Sequence, residues 1–458
     1  MASRPQILVP SFLAIAGLAA AADVTQQPPT VLGPGSTMAE VKSGKIQGGG
    51  RLVYLKGMVE ADWLQKGNYT DGNDAFSDHF SGSWLRAELG ARIEVDSRVE
   101  VAVTVAYQGL MGQSGVTDPG TTYGTPTTTN APPNGQSGNA VIDDAHVRLK
   151  EFLRFKSLTI DVGRQPFNYS LRTDHSDFLY DSSADYRTIT SWDGIRAAYN
   201  FDSIDATPFV FRMPDDSTLY GLGINWVPAY SGDNRLYLQG TATMNKGMLM
   251  RDGVTRAESL QTYSAGLTAT LAEIELFGEF ALQRGSQGAG VDFAGWGASA
   301  GLDWNRSDLT LGIQGDWLSG DNNGVTDGKN SAFQNKWEGV SDTLVVEHEK
   351  YGELSRLLDG NLIASKAHLD YSLDPAKALR VRVIYANYKV DKAAVGRGKD
   401  FGQEVDLGLN WKYTTETRIG LMAGVFKPGD AYRAVSPAGV NAGSDLIYTF
   451  AANLLVSY

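Results

Sequence analysis

The segment Ser444–Tyr458 runs SDLIYTFAANLLVSY. Every second residue is apolar: Leu446, Tyr448, Phe450, Ala452, Leu454, Val456 and Tyr458, with Thr449, Asn453 and Ser457 among the residues between. A period of two over this length specifies a long strand with one apolar face. A tilted strand of about ten residues is long enough to cross a bilayer. The segment is therefore expected to be the closing strand of a membrane β-barrel, provided the preceding chain repeats the unit.

The preceding chain does repeat it. Val59, Ala61 and Trp63 alternate with Met58, Glu60 and Asp62; Leu85 to Val95 alternate with Arg86, Glu88, Arg92 and Glu94; Val99 to Tyr107 alternate with Glu100 and Thr104. The beat returns through Tyr220–Trp226, Tyr263–Leu271, Ile274–Leu282, Trp296–Trp304, Leu309–Trp317, Ile363–Tyr371, Leu379–Tyr385, Val405–Tyr413 and Ile419–Val425. The strands number about 18, within a range of roughly 16–18, and single-chain bacterial barrels have even counts. Connections mostly alternate short and long. Short ones fall near Asp96–Arg98, Leu153–Lys156, Ala272, Asn305–Ser307, Asp374–Lys377 and Thr414–Thr417; long ones near Gly67–Gly82, Gln108–Gly138, Ser170–Thr190, Asn245–Glu258, Asp321–Gly360 and Pro428–Gly443. Tight periplasmic turns and long external loops produce this rhythm. The expected fold is all-β: a transmembrane antiparallel up-and-down β-barrel spanning 45–458.

Residues 1–22 have the form of a secretory signal, with Arg4, an apolar core from Ile7 to Leu18 and small residues Ala19–Ala22. Residues 23–44 are polar and rich in Pro and Gly, as a periplasmic lead-in would be. The formal charge of -12 disfavours nucleic acid as a partner. With no cysteine there are no disulfides and no thiolate metal sites.

In hydrocarbon every backbone N–H and C=O needs a partner, so the sheet must close. The apolar face then meets lipid, with Trp and Tyr at its ends, and the polar face lines a wet lumen. Lumen candidates on the early and late strands are Arg86, Arg92, Arg148, Lys150, Arg196, Lys366, Arg380, Arg382 and Arg418, mixed with Glu88, Glu94, Glu100, Asp144, Asp370, Glu404 and Asp406. Opposed charged rows can select among solutes, or can simply pair on neighbouring strands. In the longest connection, Leu344, His348, Tyr351, Leu354 and Leu358 fall at near-helical spacing. A helix there, carrying Glu347, His348, Lys350, Tyr351, Glu353 and Arg356, would either constrict the lumen or lie over its rim.

Three sequence pieces resemble the alginate-export family of outer-membrane barrels: Asp161-Val162-Gly163-Arg164-Gln165, Trp192-Asp193-Gly194-Ile195-Arg196, and Ser319-Gly320-Asp321-Asn322-Asn323 with Thr326-Asp327-Gly328-Lys329 and Phe333. The resemblance implies passive passage of an anionic polysaccharide or smaller hydrophilic solute, in the outer membrane of a Gram-negative-type bacterium. Phosphate-selective and sugar porins are equally compatible. Strand parity puts Arg164 on the lipid side with Val162 unless a bulge resets it.

Other motifs carry less. Gly297-Ala298-Ser299-Ala300-Gly301 matches a nucleophile elbow, but Leu302 and Trp304 continue a strand where that motif needs a turn and a helix. Asp174-His175-Ser176-Asp177 sits in a loop. Asp321, Asn323 and Asp327 offer hard oxygens for a cation in an incomplete EF-hand order, as do Asp71, Asn73, Asp74 and Asp78. The expectation is a non-enzymatic porin without cofactor, monomeric or trimeric, in contact with outer-membrane lipid and lipopolysaccharide. A sheath for an electron-transfer or secretion partner, or a barrel hydrolase, are the alternatives.

Overall fold

The computed structural model describes residues 44–48, 51–68, 80–110, 140–167, 191–201, 203–213, 216–231, 234–251, 254–322, 326–334, 343–347, 354–358, 360–374, 376, 378–393, 396–436 and 443–458. The signal-like leader and the lead-in up to residue 43 lie outside them. So do the 71–78 and 174–177 stretches.

Eighteen strands form the wall. They are β1 Arg51–Gly67, β2 Phe80–Glu94, β3 Val99–Leu110, β4 Ala140–Leu149, β5 Leu158–Pro166, β6 Ser191–Phe201, β7 Ile204–Arg212, β8 Thr218–Ser231 and β9 Asn234–Arg251. The second half comprises β10 Val254–Leu271, β11 Ile274–Gly288, β12 Trp296–Arg306, β13 Leu309–Leu318, β14 Leu362–Ser372, β15 Leu379–Val390, β16 Asp400–Lys412, β17 Thr417–Pro428 and β18 Ile447–Ser457. Each pairs antiparallel with the next. β18 then pairs with β1 from Met58↔Ser457 to Gly67↔Tyr448. That seam makes the sheet a closed antiparallel barrel, as the alternation in Ser444–Tyr458 predicts. At the seam, Gly57 and Tyr458 exchange two backbone hydrogen bonds of 2.9 Å, and the Tyr458 ring covers Gly57, where a Cβ would collide with it. Below this pair the short strand Gly44–Gly48 takes over as the partner of residues 51–55.

Burial is inverted relative to a water-soluble protein. Leu89, Ile313, Val405 and Leu407 are 52–61% exposed, whereas Asp62, Thr268 and Glu404 are 0–3% exposed. Apolar side chains cover the outside, and polar ones pack against one another inside. This arrangement is stable only where hydrocarbon replaces water at the outer face. Among the described residues no helix is long and apolar enough to cross a membrane.

The tight turns close on side chains at their first position. Asp96 accepts from the Arg98 and Val99 amides (2.7 and 2.9 Å), and Thr414 accepts from Thr417. Asp374 accepts from the Leu379 amide at 2.7 Å, a bond that holds its carboxyl below the usual range. At the opposite end one expectation fails. The 245–258 connection is no long loop: β9 and β10 stay paired out to Arg251↔Val254. Asn245 and Glu258 belong to the inner face and are buried there, so polarity marked lumen rather than loop. A bulge in β4 opposes Thr104 to Asp144 and Val105 to Ile142, which turns both Asp143 and Asp144 inward.

Leu267 points outward at 43% exposure in mid-strand β10. Leu267→Arg is expected to cost about 2–4 kcal/mol in urea unfolding from lipid vesicles, whereas Gly266→Ser, on the inner face, stays within about 1 kcal/mol. Equal costs for the two would contradict the assignment of faces.

Candidate functional site

The inner wall carries two charge clusters and an inward loop. Across β3–β6, Asp161 accepts from Arg148 Nε (2.8 Å) on one side and from Arg196 Nη2 (2.6 Å) on the other. Glu100 pairs with Lys150 and lies 3.9 Å from Arg148. Alternation explains the convergence, since Arg148, Asp161 and Arg196 are cross-strand partners in one row. The acids are short and hug the wall, while the cations reach past them. Arg148, Lys150 and Arg196 side chains are 27–40% exposed, and those of Asp161 and Glu100 only 5–6%. Beside this row, Arg86 is buried against Glu88 at 2.5 Å and Asp143 at 3.6 Å. His146 Nδ1 lies 2.6 Å from Asp144. Arg92 stacks on Tyr54, whose hydroxyl donates to Glu94.

On the opposite wall, His368 lies 3.5 Å from Asp303 and 3.8 Å from Asp370, and Asp370 also approaches Arg382 at 3.8 Å. Lys366 is buried between Asp316 (2.8 Å) and Glu347 (3.2 Å). Near the tight-turn end, Lys56, Arg380 and Arg418 face inward, half-buried, with no ion-pair partner among the described residues. Lys412 stands opposite Arg418 in register and beside the turn carboxylate Glu416.

Described parts of the 321–360 connection lie against the inside of the barrel. Its first part returns onto the β11–β12 hairpin, where Lys329–Asn330 pairs in parallel with Val291–Phe293 and Gln334 exchanges two hydrogen bonds with Gln283. Residues 343–347 then lie on the inner wall of β14–β18. The Leu344 amide donates to Asp406 (2.8 Å), and the Val345 and Val346 amides donate to the two oxygens of Glu404 (2.5 and 3.1 Å). Thr343 bonds the Tyr388 hydroxyl at 2.6 Å, and Glu347 bonds Lys366. Leu344 packs with Leu64, Trp84 and Ala451, and Val345 and Val346 pack with Tyr388 and Phe426. Two side-chain carboxyl groups thus serve as acceptors for three successive amides.

The sequence places a helix over 345–358. The described part is a turn at 344–347 and a short 3-10 helix at Leu354–Leu358. His348, Lys350, Tyr351 and Glu353 lie outside the described residues, as does the Arg356 side chain. Glu404 and Asp406 appeared in the sequence as lumen charges, but their role as loop anchors depends on a partner about 60 residues away in the chain, which strand parity does not report. Asp161, Asp303 and Asp316 were missed as lumen acids, although each alternates with apolar neighbours and parity alone would have found them.

The motif pieces meet across β5 and β6. Gly163 faces Gly194, Arg164 faces Asp193 and Gln165 faces Trp192. Gly163 has φ +125°, and a Cβ there would collide with the Ala145 carbonyl. No bulge resets the parity, so Arg164 stays on the outer face. There it binds Asp193 with two parallel bonds (2.8 and 2.7 Å) and also donates to the Ile142 carbonyl. On the inner side of the same strands, Trp192 packs with Phe167, Phe209, Phe211, Met213 and Leu219. Ser299 lies within the continuous strand β12 and bonds Asp316. Asp321 accepts from the Ser331 amide and Asp327 from the Lys329 amide; Asn323 lies outside the described residues. Among the described residues no group of three or more potential ligands could hold a metal.

Closed strands, an apolar exterior and a charged inner wall with a loop segment lying on it define a porin-like barrel of the outer-membrane type. The chain belongs to the alginate-export family, whose model matches residues 98–442. No curated protein sequence matches it. Among solved structures it is similar to Pseudomonas aeruginosa OccK11 (OpdR), with TM-score 0.55, 11% identity, and coverage of 88% of this chain and 95% of that one. Acinetobacter baumannii OccAB1 gives 0.57, 10%, 89% and 96%, and the outer membrane protein opdK of Pseudomonas aeruginosa gives 0.56, 11%, 89% and 99%. At these identities the likeness concerns the fold.

The Arg164–Asp193 pair generates a sharp expectation. Asp193→Asn leaves the outward Arg164 without its carboxylate at the depth of Arg212, near the membrane interface, and should cost about 1 kcal/mol in vesicle unfolding. Replacing both residues by Leu should recover most of that loss, because an apolar pair needs no desolvation. A double variant as unstable as the single one would show that the pair does more than neutralise itself.

Proposed function

We propose that the chain is a passive outer-membrane channel for hydrophilic solutes, with a preference for anionic or acidic saccharide species. The observation that carries the anionic preference is the layering on β3–β6: three water-facing cations lie over two wall-hugging carboxylates. A solute in the lumen meets the cations first, even though the whole chain is acidic. The inward cations Lys56, Arg380 and Arg418 extend the same sign to the tight-turn end. The alginate-export family and the channel-type neighbours support the reading. Passive diffusion needs no catalytic group, and the elbow-like Ser299 sits in an unbroken strand.

Reversal potential in a KCl gradient across a planar bilayer tests this reading. Wild type should favour chloride, and Arg148→Glu with Arg196→Glu should move the potential toward the cation side. A cation-selective wild type would overturn the anionic preference.

In this reading the 343–347 segment sets the pore's cross-section. Each hydrogen bond that Glu404 accepts from the loop contributes about 0.5–1.5 kcal/mol. Glu404→Gln should therefore loosen the segment, and single-channel records should show excursions to a larger conductance. Deletion of 343–358 should fix the larger level. Unchanged conductance in the deletion would mean that the loop lines the wall without narrowing it.

A further inference from the structure

The outer face carries an asymmetry that solute passage does not use. Its strand cations gather at the long-loop end. Lys246, Lys389 and Lys427 are exposed, share the outward parity of their strands and form no ion pair among the described residues. Lys389 stands four residues beyond the outward Tyr385, and Lys427 two beyond the outward Val425. Arg284 is likewise outward and exposed, four residues beyond Phe280, with Nη1 donating only to the neighbouring Gln283 carbonyl. Arg212 closes the top of β7, paired with Asp216 at 2.8 Å. At the tight-turn end, Arg306 is the one outward cation among the described strand side chains, and it lies beside Trp304.

We infer that these outward cations form a docking collar for the phosphate groups of a phosphorylated glycolipid in the outer leaflet. The inference rests on the outer-membrane placement but not on the channel reading. Charge complementarity selects the occupant. A side chain just beyond the apolar belt is at headgroup depth, and among the described residues Lys246, Lys427 and Arg284 have neither an ion-pair partner nor a carboxylate opposite them in register, while Lys389 stands opposite the exposed Asp400. Long Lys and Arg stems run up the apolar wall and present their charge at that depth. A phosphomonoester carries up to two negative charges and several acceptor oxygens, which suits cations on alternate strands better than a zwitterionic headgroup does. Confinement of the cations to one end matches a membrane whose two leaflets differ in charge. It also places the long loops on the phosphorylated side.

The test uses the full-length processed protein in detergent micelles, probed with bisphosphorylated lipid A, its dephosphorylated form and inorganic phosphate. Bound lipid is read by native mass spectrometry, and thermal unfolding is followed in parallel. Wild type should retain the bisphosphorylated form and gain thermal stability from it. The dephosphorylated form and inorganic phosphate should have little effect. Combining Lys246→Gln, Lys389→Gln and Lys427→Gln should weaken retention by about fivefold per cation, with single-channel conductance unchanged. If the triple variant does not fold, the salt dependence of retention by wild type decides: added salt must weaken it. Equal retention of the dephosphorylated form, full protection by inorganic phosphate, or salt-independent binding would each overturn the collar. Loss of conductance with retention intact would count against the channel reading alone.

Discussion

The β1–β18 seam is the constraint on which every other feature depends. Ten register pairs between Met58–Gly67 and Tyr448–Ser457 join the first strand to the last. Without them two edges of unpaired N–H and C=O groups would face hydrocarbon, at several kcal/mol for each group left unsatisfied. The seam is built for close approach. Gly57 and Gly67 lie beneath the rings of Tyr458 and Tyr448, so the aromatic side chains shield the backbone bonds at both ends of the joint. Once the cylinder is sealed, a residue's parity decides whether it meets lipid or water, and the rest of the chemistry follows.

Much of the fold was legible because a barrel wall obeys a strict local rule. Strand number, face and the alternation of connections all come from period two, which needs no knowledge of distant contacts. The misreadings share one cause. Between residues 245 and 258 both parities mix polar and apolar residues, with Lys246, Met248 and Met250 on one and Asn245, Leu249 and Arg251 on the other, so period two is lost in the sequence although the backbone continues the ladder. Parity also suffices for Asp161 and Asp303. The loop contacts are different. That Glu404 and Asp406 would each meet main-chain amides near residue 345 depends on how the 321–360 connection folds across the wall, and neither residue's neighbours in sequence encode it.

Two ion-pair environments on the same strands show how location changes the meaning of a charge. Arg148, Asp161 and Arg196 face the lumen, where water screens them and the exposed cations remain available to a solute. Arg164 and Asp193, on the outer face, are matched by a two-point bond and by the Ile142 carbonyl. An outward charge survives there because it is fully spoken for. The Gly-Arg-Gln and Trp-Asp-Gly pieces thus supply three things in consecutive cross-strand pairs: glycines that approach the flanking backbone closely, Gly163 at Ala145 and Gly194 at Val210, a neutralised pair outside, and an inward pair whose Trp192 heads an aromatic cluster. The pieces that carry the family resemblance form a joint in the wall.

The lumen's sign follows from side-chain length more than from composition. Counting residues, acids and bases are interspersed, and a formal charge of -12 would suggest a cation path. Asp and Glu are short and become buried against the sheet. Arg and Lys extend beyond them and keep their charged ends in water. In a channel only the innermost layer of charge meets the solute at contact distance, and the carboxylates beneath act chiefly to hold that layer upright. The same reasoning explains why Glu404 and Asp406 add little to the path: both Glu404 oxygens and Asp406 Oδ2 accept the amides of residues 344–346, and both side chains are buried beneath that segment, so β16 presents a loop surface to the lumen there.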